Sequence, residues 1–367
     1  MKLKRLSLVA FRNFSEFDLE FSADGAMIVG RNGRGKSNIL EAISFLSIGK
    51  SIKGTRDQDV APHDGSHFDI RGVWDDGKRQ RGLRVFYSGE DGKRVFVDDA
   101  PLPRVSEILS HFQCVHFAPQ DVSLVLQFSA QRRRLIDILI SQSDVTYVHD
   151  LQQYQRVLNQ RNEHLRRQMR GSDELDVWDN QLARLGGALR HKRLETLESL
   201  HGDFVGSFRQ FADAAEEPGL TYRNRQIGSG EELPSAAVAT DGFATELHVS
   251  RQRDQRMKHT TVGPHRDGLG FTLNGAPAEN FASQGQLKSL LLSWKLAELR
   301  FLQSLRDSQP VLLLDDLFSE LDEERSGRVI DMLDDFDALN DLTKVNNVYA
   351  EMPKKKTRER MAKNRIC

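Results

Sequence analysis

The 367-residue sequence predicts an α/β fold, a split α/β domain with a helical lobe inserted in its middle. Three observations carry this reading. The apolar run "AMIVG" ends at a glycine-rich turn and gives way to apolar residues at helical spacing. The proline-free stretch 121–215 is rich in Leu, Gln, Arg and Glu. A second apolar run, "PVLLLDD", then stops at two aspartates.

The elements follow in order. "LKRLSLVAF" and "DLEFS" read as strands, and "AMIVG" as a buried one. Ile39, Leu40, Ile43 and Leu46 recur every three or four residues and predict the first helix. Residues 68–100 alternate strands with "DDG" and "EDG" turns, which predicts an antiparallel meander at one edge of the first lobe. Leu182, Leu185 and Leu189, then Leu194, Leu197 and Leu200, predict two or three long helices in the insertion. Residues 216–242 have the Gly, Pro and Ser content of a loop. Strand character returns at "LGFTLNG", and a long helix is expected from Gln286 to Leu305 with Trp294 in its core. The expected division is therefore a head formed by 1–120 and 260–340, a lobe formed by 121–259, and a tail at 341–367.

Composition narrows the class of protein. Hydrophobic residues make up 38% of the chain, enough for a real core. The two cysteines, Cys114 and Cys367, cannot form a disulfide framework and predict a reducing, cytoplasmic setting. The start, "MKLKRLSLVAFRNF", reads as a strand and not as a signal peptide. No window approaches the roughly 18 apolar residues of a membrane span, so no membrane partner is expected. The formal net charge of −1 hides clusters of basic residues: Lys78, Arg79, Arg81, Arg84, Lys93 and Arg94; Arg132 to Arg134; Arg156 to Arg170; and Arg251 to Lys258. Acidic residues concentrate between Asp315 and Asp337.

Gly30 to Ser37, "GRNGRGKS", satisfies the phosphate-loop pattern between a strand and an amphipathic helix. Glycines at 30, 33 and 35 let Arg31, Asn32 and Arg34 turn their backbone N–H groups inward as an anion nest. The helix N-terminus aims at the same point. Lys36 would neutralise β and γ phosphates and the Ser37 hydroxyl would bind Mg²⁺. A carboxylate on another strand is then needed for the metal, and "PVLLLDD" supplies Asp315; Asp316 is placed to orient or deprotonate the attacking water. The expected cofactors are ATP and Mg²⁺.

Between these motifs lies "FASQGQLKSLLLSWKLAEL", which resembles the ABC-type ATPases, whose signature opens a long helix. Ser283, Gly285 and Gln286 stand at the signature places, and in that architecture they face the γ-phosphate held by a second protomer. Taken in order, "FRNF", the phosphate loop, "FAPQDVSLV" with "QRRRLID", "VGPHRDGL", the signature and "LLLDDLFSELD" are similar to the RecF family of bacterial recombination and repair proteins, up to about residue 325. The resemblance implies an ABC-type P-loop ATPase head. It makes Gln120 the glutamine that senses Mg²⁺ and nucleotide, and Asp322 an aspartate that crosses the dimer interface. It further implies an ATP-dependent homodimer with weak ATPase activity that binds single-stranded and gapped duplex DNA, acts with RecO and RecR, helps load RecA and induces the SOS response. The tail departs from the family: it shows no apolar strand, and Lys354 to Arg365 hold seven basic residues and one acidic, the composition of a disordered extension that attracts DNA phosphates. An ABC transporter subunit would have a much shorter stretch between Gln120 and Ser283. An SMC-like structural protein would need far longer coiled-coil arms, and a metabolic P-loop kinase would need no signature.

Overall fold

The computed structural model describes residues 1–21, 26–31, 33–62, 66–118, 121, 128–167, 172–212, 215–305, 309–315, 328, 347–349 and 365–366. Chain packing divides into two units, one comprising 1–123, 207–213 and 284–367, the other 124–206 and 214–283.

The first unit holds two sheets. Strands β1 (Lys2–Phe11) and β2 (Phe14–Glu20) form a hairpin. They join β4 (His67–Asp75), β5 (Gln80–Ser88), β6 (Gly92–Val97) and β7 (Ala100–Pro101) in one antiparallel sheet of order β2-β1-β4-β5-β6-β7. The meander is thus continuous with the first hairpin, because β1 pairs with β4 from Lys2↔Asp75 to Val9↔Asp69. The second sheet is parallel, of order β15-β3-β14-β13-β8, with β3 (Ala26–Ile28), β8 (Cys114–Phe117), β13 (Val311–Leu314), β14 (Asn347–Tyr349) and β15 (Arg365–Ile366).

Helix α1 (Lys36–Ile48) packs on strands of both sheets. Its apolar side chains and the inward residues of β1, β4, β5, β6, β8 and β13 make one core. Phe11, Phe45 and Phe68 meet there edge to face, with centroids 5.5 to 6.1 Å apart. Gly72 is required at the contact: a Cβ there would stand 2.4 Å from Leu46 Cδ1.

The second unit contains α2 (Ser129–Ser141), α3 (Val145–Arg166) and most of α4 (Ser172–Phe211), the three long helices of the insertion. Asp144 caps α3 through Tyr147 N. Two expectations are corrected here. Residues 216–242 are not a loop: they hold β9 (Pro218–Tyr222) and β10 (Arg225–Gln226) and start α5 (Ala236–Met257), which Ser235 caps. The lobe also does not end at 259. "LGFTLNG" forms β11 (Leu269–Leu273), paired antiparallel with β9 from Leu269↔Tyr222 to Leu273↔Pro218, so residues 260–283 belong to the lobe unit. Strand β12 (Ala276–Pro277) and the short α6 (Ala278–Phe281) complete it.

The expectation of a tail with no strand is corrected as well. Asn347–Tyr349 lies between β3 and β13 in the parallel sheet, and Arg365–Ile366 pairs with β3 at its edge. Three residues are too few to show an apolar pattern, yet each side of β14 has a neighbour to pair with.

Candidate nucleotide-binding site

In an open parallel sheet, ligands bind beyond the carboxyl ends of the strands. Three expected site segments leave that edge: the phosphate loop after β3, Asp315 after β13, and the segment toward Gln120 after β8. The P-loop strand and the acid-bearing strand are separated only by β14.

Within the loop, Gly33 and Gly35 take φ of +80° and +95°, where a side chain would be strained. Gly35 is also crowded, since a Cβ would stand 2.7 Å from Asn13 Oδ1 and from Phe14 Cζ. Gly30 has a different reason, as nothing lies within 4 Å of its Cβ position. The space beside it is open, and its carbonyl accepts from Lys36 Nζ at 2.8 Å. Arg31, Gly33 and Arg34 are exposed; Lys36 and Ser37 are half-buried in the first turn of α1. Asn32 lies outside the described residues.

Helix α1 starts at Gly35 with no side-chain cap and no acidic residue in its first turn. Helices commonly satisfy that end with a carboxylate or hydroxyl. Its absence, with two left-handed glycines and a lysine in the same loop, fits a polyphosphate: the first-turn N–H groups and the positive dipole end suit an anion. Lys36 would trade its Gly30 carbonyl for phosphate oxygens, and Ser37 and Asp315 are oxygen donors of the kind Mg²⁺ takes. Asp315 is buried at the end of β13, and its N–H donates to Phe117 O at 2.9 Å. Gln120, Asp316 and Asp322 lie outside the described residues. Ser283 is exposed immediately before α7 (Gln284–Ser304), whose first turn contains Gly285 and Gln286 and no acidic residue. That helix end has the same anion-receiving character.

The sequence quoted "FRNF" without showing what it does. Arg12 and Asn13 form the turn of the β1–β2 hairpin and brace the loop's helix from below. Asn38 Nδ2 donates to Asn13 Oδ1 at 2.8 Å. Arg12 donates to both oxygens of Glu41, at 2.6 and 3.2 Å, and Ser51 Oγ donates to the same carboxylate at 2.6 Å. Lys53 Nζ stands 3.1 Å from it. Burial alone would raise the fully buried Glu41 carboxyl, but these donors and charges outweigh it and hold it below the usual carboxylate range. Helix α1 is therefore pinned to the hairpin turn by a charge pair that costs several kcal/mol if half is removed.

Beneath the sheet edge, β8 carries His116, buried, with Nδ1 unpaired among the described residues. Burial, then the charges of Lys295 and Lys53, lower its pKa to about 3, so it is neutral. Lys295 and Trp294 of α7 both donate to Glu298, which fixes the inner face of the helix that the signature opens.

A parallel sheet with a P-loop at its carboxyl edge, an acid-ended strand one place removed and an inserted helical lobe defines the ABC-type ATPase fold. Comparison with known proteins agrees. The family model described as RecF/RecN/SMC N terminal domain matches residues 2–340. DNA replication and repair protein RecF of Chloroherpeton thalassium is 34% identical over 338 residues, 91% of each chain. That of Lachnoclostridium phytofermentans is 35% identical over 338 residues, 91% of this chain and 90% of the relative. The chain belongs to the RecF family. Among solved structures, the recombination mediator protein RecF with bound ATP superposes with a TM-score of 0.85 at 30% identity, over 96% of this chain and 92% of that one. An Smc head bound to the C-terminal winged-helix domain of ScpA shares the fold at a TM-score of 0.54 and 16% identity, over 96% and 90% of the two chains.

Proposed function

We propose that the chain is an ATP-gated DNA-binding switch of recombinational repair and replication restart, active in the cytoplasm. The single observation that carries this is the uncapped, glycine-shaped N-terminus of α1 at the carboxyl edge of the parallel sheet. Gly30 to Ser37 hold the triphosphate, Ser37, Asp315 and Gln120 hold Mg²⁺, and Asp316 orients the attacking water. When bound, Mg²⁺ neutralises charge that builds on the transferred phosphoryl group.

The site is half of a shared one. In this reading Ser283, Gly285 and Gln286 of a second copy complete it and Asp322 crosses between copies, so ATP docks two protomers and hydrolysis releases them. Asp316 has a shorter reach than a glutamate, so hydrolysis is slow and the dimer lives long enough to act as a clamp. Single-stranded and gapped duplex DNA are the partners, with RecO and RecR in RecA loading and induction of the SOS response. The relatives' printed role in DNA replication and repair and the ATP-bound RecF structure support this reading.

Size-exclusion chromatography with light scattering, run with ADP or ATP and Mg²⁺, with and without a gapped duplex, tests it. The expected result is a doubling of mass with ATP only, and a further shift with DNA. Asp316→Asn should prolong the ATP dimer. No ATP-dependent shift in any arm overturns the proposal.

A further inference from the structure

Most cations of the basic clusters meet carboxylates: Arg84 pairs with Asp69, Lys93 with Asp57 and Arg167 with Glu163. The segment 251–268 of the lobe unit differs. In sequence it carries five Lys and Arg and two carboxylates. Both carboxylates turn inward. Asp254 is fully buried and accepts from Arg161 Nη1 at 2.8 Å and from Thr261 N at 2.9 Å. Asp267 accepts from Arg190 Nε and Nη2, at 2.8 and 2.9 Å, and from the Tyr222 hydroxyl at 2.9 Å. Arg251 pairs with Asp176 and Asp179.

What remains outside is Arg253, Arg256, Lys258 and Arg266. All four are exposed, and among the described residues none has a carboxylate partner; Arg253 Nε donates only to Thr261 Oγ1. A formal +3 in the segment is thus +4 at its surface. The helix dipole explains cations in the last turn of α5. It does not explain Arg266, which lies well beyond the helix end.

The backbone that carries Arg266 is fixed. Gly263 sits at φ +126°, and a Cβ there would stand 2.5 Å from Tyr154 Oη. Its carbonyl accepts from the N–H groups of Arg266 and Asp267 at 2.7 and 3.1 Å. His265 is held between the Tyr154 hydroxyl, 2.7 Å from Nδ1, and Thr260 O, 3.3 Å from Nε2. Buried ion pairs of this kind do little for stability but can fix one conformation. Here they consume every negative charge of the segment and leave preorganised positive charge with none to answer it.

We infer that Arg253, Arg256, Lys258 and Arg266 form a contact surface for the phosphate backbone of duplex DNA. The inference rests on the DNA-binding reading above. Contacts to phosphate oxygens carry no sequence information, so the contact is independent of sequence.

The test is fluorescence anisotropy of the full chain on a gapped duplex, with ATP and Mg²⁺, over a series of salt concentrations. The variant replaces Arg253, Arg256, Lys258 and Arg266 by Gln. Each phosphate contact contributes about 0.9 to the slope of log affinity against log salt, so the slope should fall by about 3 to 4 and affinity at least tenfold. Arg266→Gln alone should lower the slope by about 1. ATP-driven self-association without DNA should be unchanged. If the native chain binds DNA and the variant matches it in affinity and slope, this inference falls and the DNA reading stands. If the native chain binds no DNA, both fall. Loss of self-association in the variant without DNA would assign the cations to a second copy and also overturn the inference.

Discussion

Both units bury a carboxylate among cations, but to different ends. In the first, Glu41 ties helix α1 to the turn at Arg12, and the loop next to this anchor is built from glycines and a lysine that has somewhere else to go. In the second, Asp267 ties a loop to Arg190 and Tyr222, and the residue beside it, Arg266, is held out to solvent. One buried pair steadies the loop proposed to take the triphosphate between its backbone N–H groups. The other steadies the loop from which Arg266, one of the cations proposed to meet DNA, reaches solvent. Stiffness is needed below the working surface in both cases, and the kind of surface decides whether glycine or arginine sits on top.

The comparison breaks most readily at the buried acids. Glu41→Ala leaves the Arg12 guanidinium without its partner and should cost about 3 to 5 kcal/mol, read by urea unfolding. Asp267→Ala should cost a similar amount in the same measurement: Arg190 keeps Glu246, but the buried Tyr222 hydroxyl also loses its acceptor. If the two anchors are equivalent, the losses match; if Lys53 and Ser51 add to the first anchor, Glu41→Ala is the worse of the two.

Next comes Lys36→Ala. It should abolish the thermal stabilisation given by ATP with Mg²⁺, an effect worth about 2.7 kcal/mol when ligand is at a hundred times its Kd. Melting without nucleotide should hardly change. Gly35→Ala should be destabilised by about 1 to 3 kcal/mol through backbone strain, and lose ATP stabilisation as well because Asn13 and Phe14 are pushed aside.

Native stability also depends on pH. His116 is neutral in the fold with a pKa of about 3, while the unfolded side chain titrates near about 6.5. The unfolded chain therefore binds the extra proton between these values, and native stability falls as pH drops from about 6.5 toward about 3, by at most about 1.4 kcal/mol per unit. His116→Gln should flatten that part of the pH profile in chemical unfolding. The smallest expected effect is that of Arg266→Gln on stability, within about 0.5 kcal/mol because its exposed side chain has no carboxylate partner among the described residues.

The phosphate-loop pattern was legible in the sequence because it demands particular residue types at fixed spacing, and Gly30 to Ser37 meet that demand locally. The long helices were legible from leucine spacing. What was hidden depends on partners far apart in the chain. Arg12 and Glu41 meet only because a hairpin turn lies under α1. Leu269–Leu273 belongs to the lobe because it pairs with β9, and Pro218 at the start of that strand looked like part of a loop. Residues 347–349 are a strand by virtue of their neighbours and not of their own pattern. The four surface cations showed as part of one basic cluster among several; only the inward turn of Asp254 and Asp267 sets them apart.

Strand β14 also bears on how the protein is made. Its residues pair with Ala26 and Met27 and with the strand that carries Asp315. Domains emerge from the ribosome amino end first and generally fold as units. The phosphate loop is synthesised first, and the strand that joins it to its acidic counterpart arrives on the order of 300 residues later. A nascent chain thus carries the phosphate loop through that whole interval before it has the strand that completes the sheet beside it.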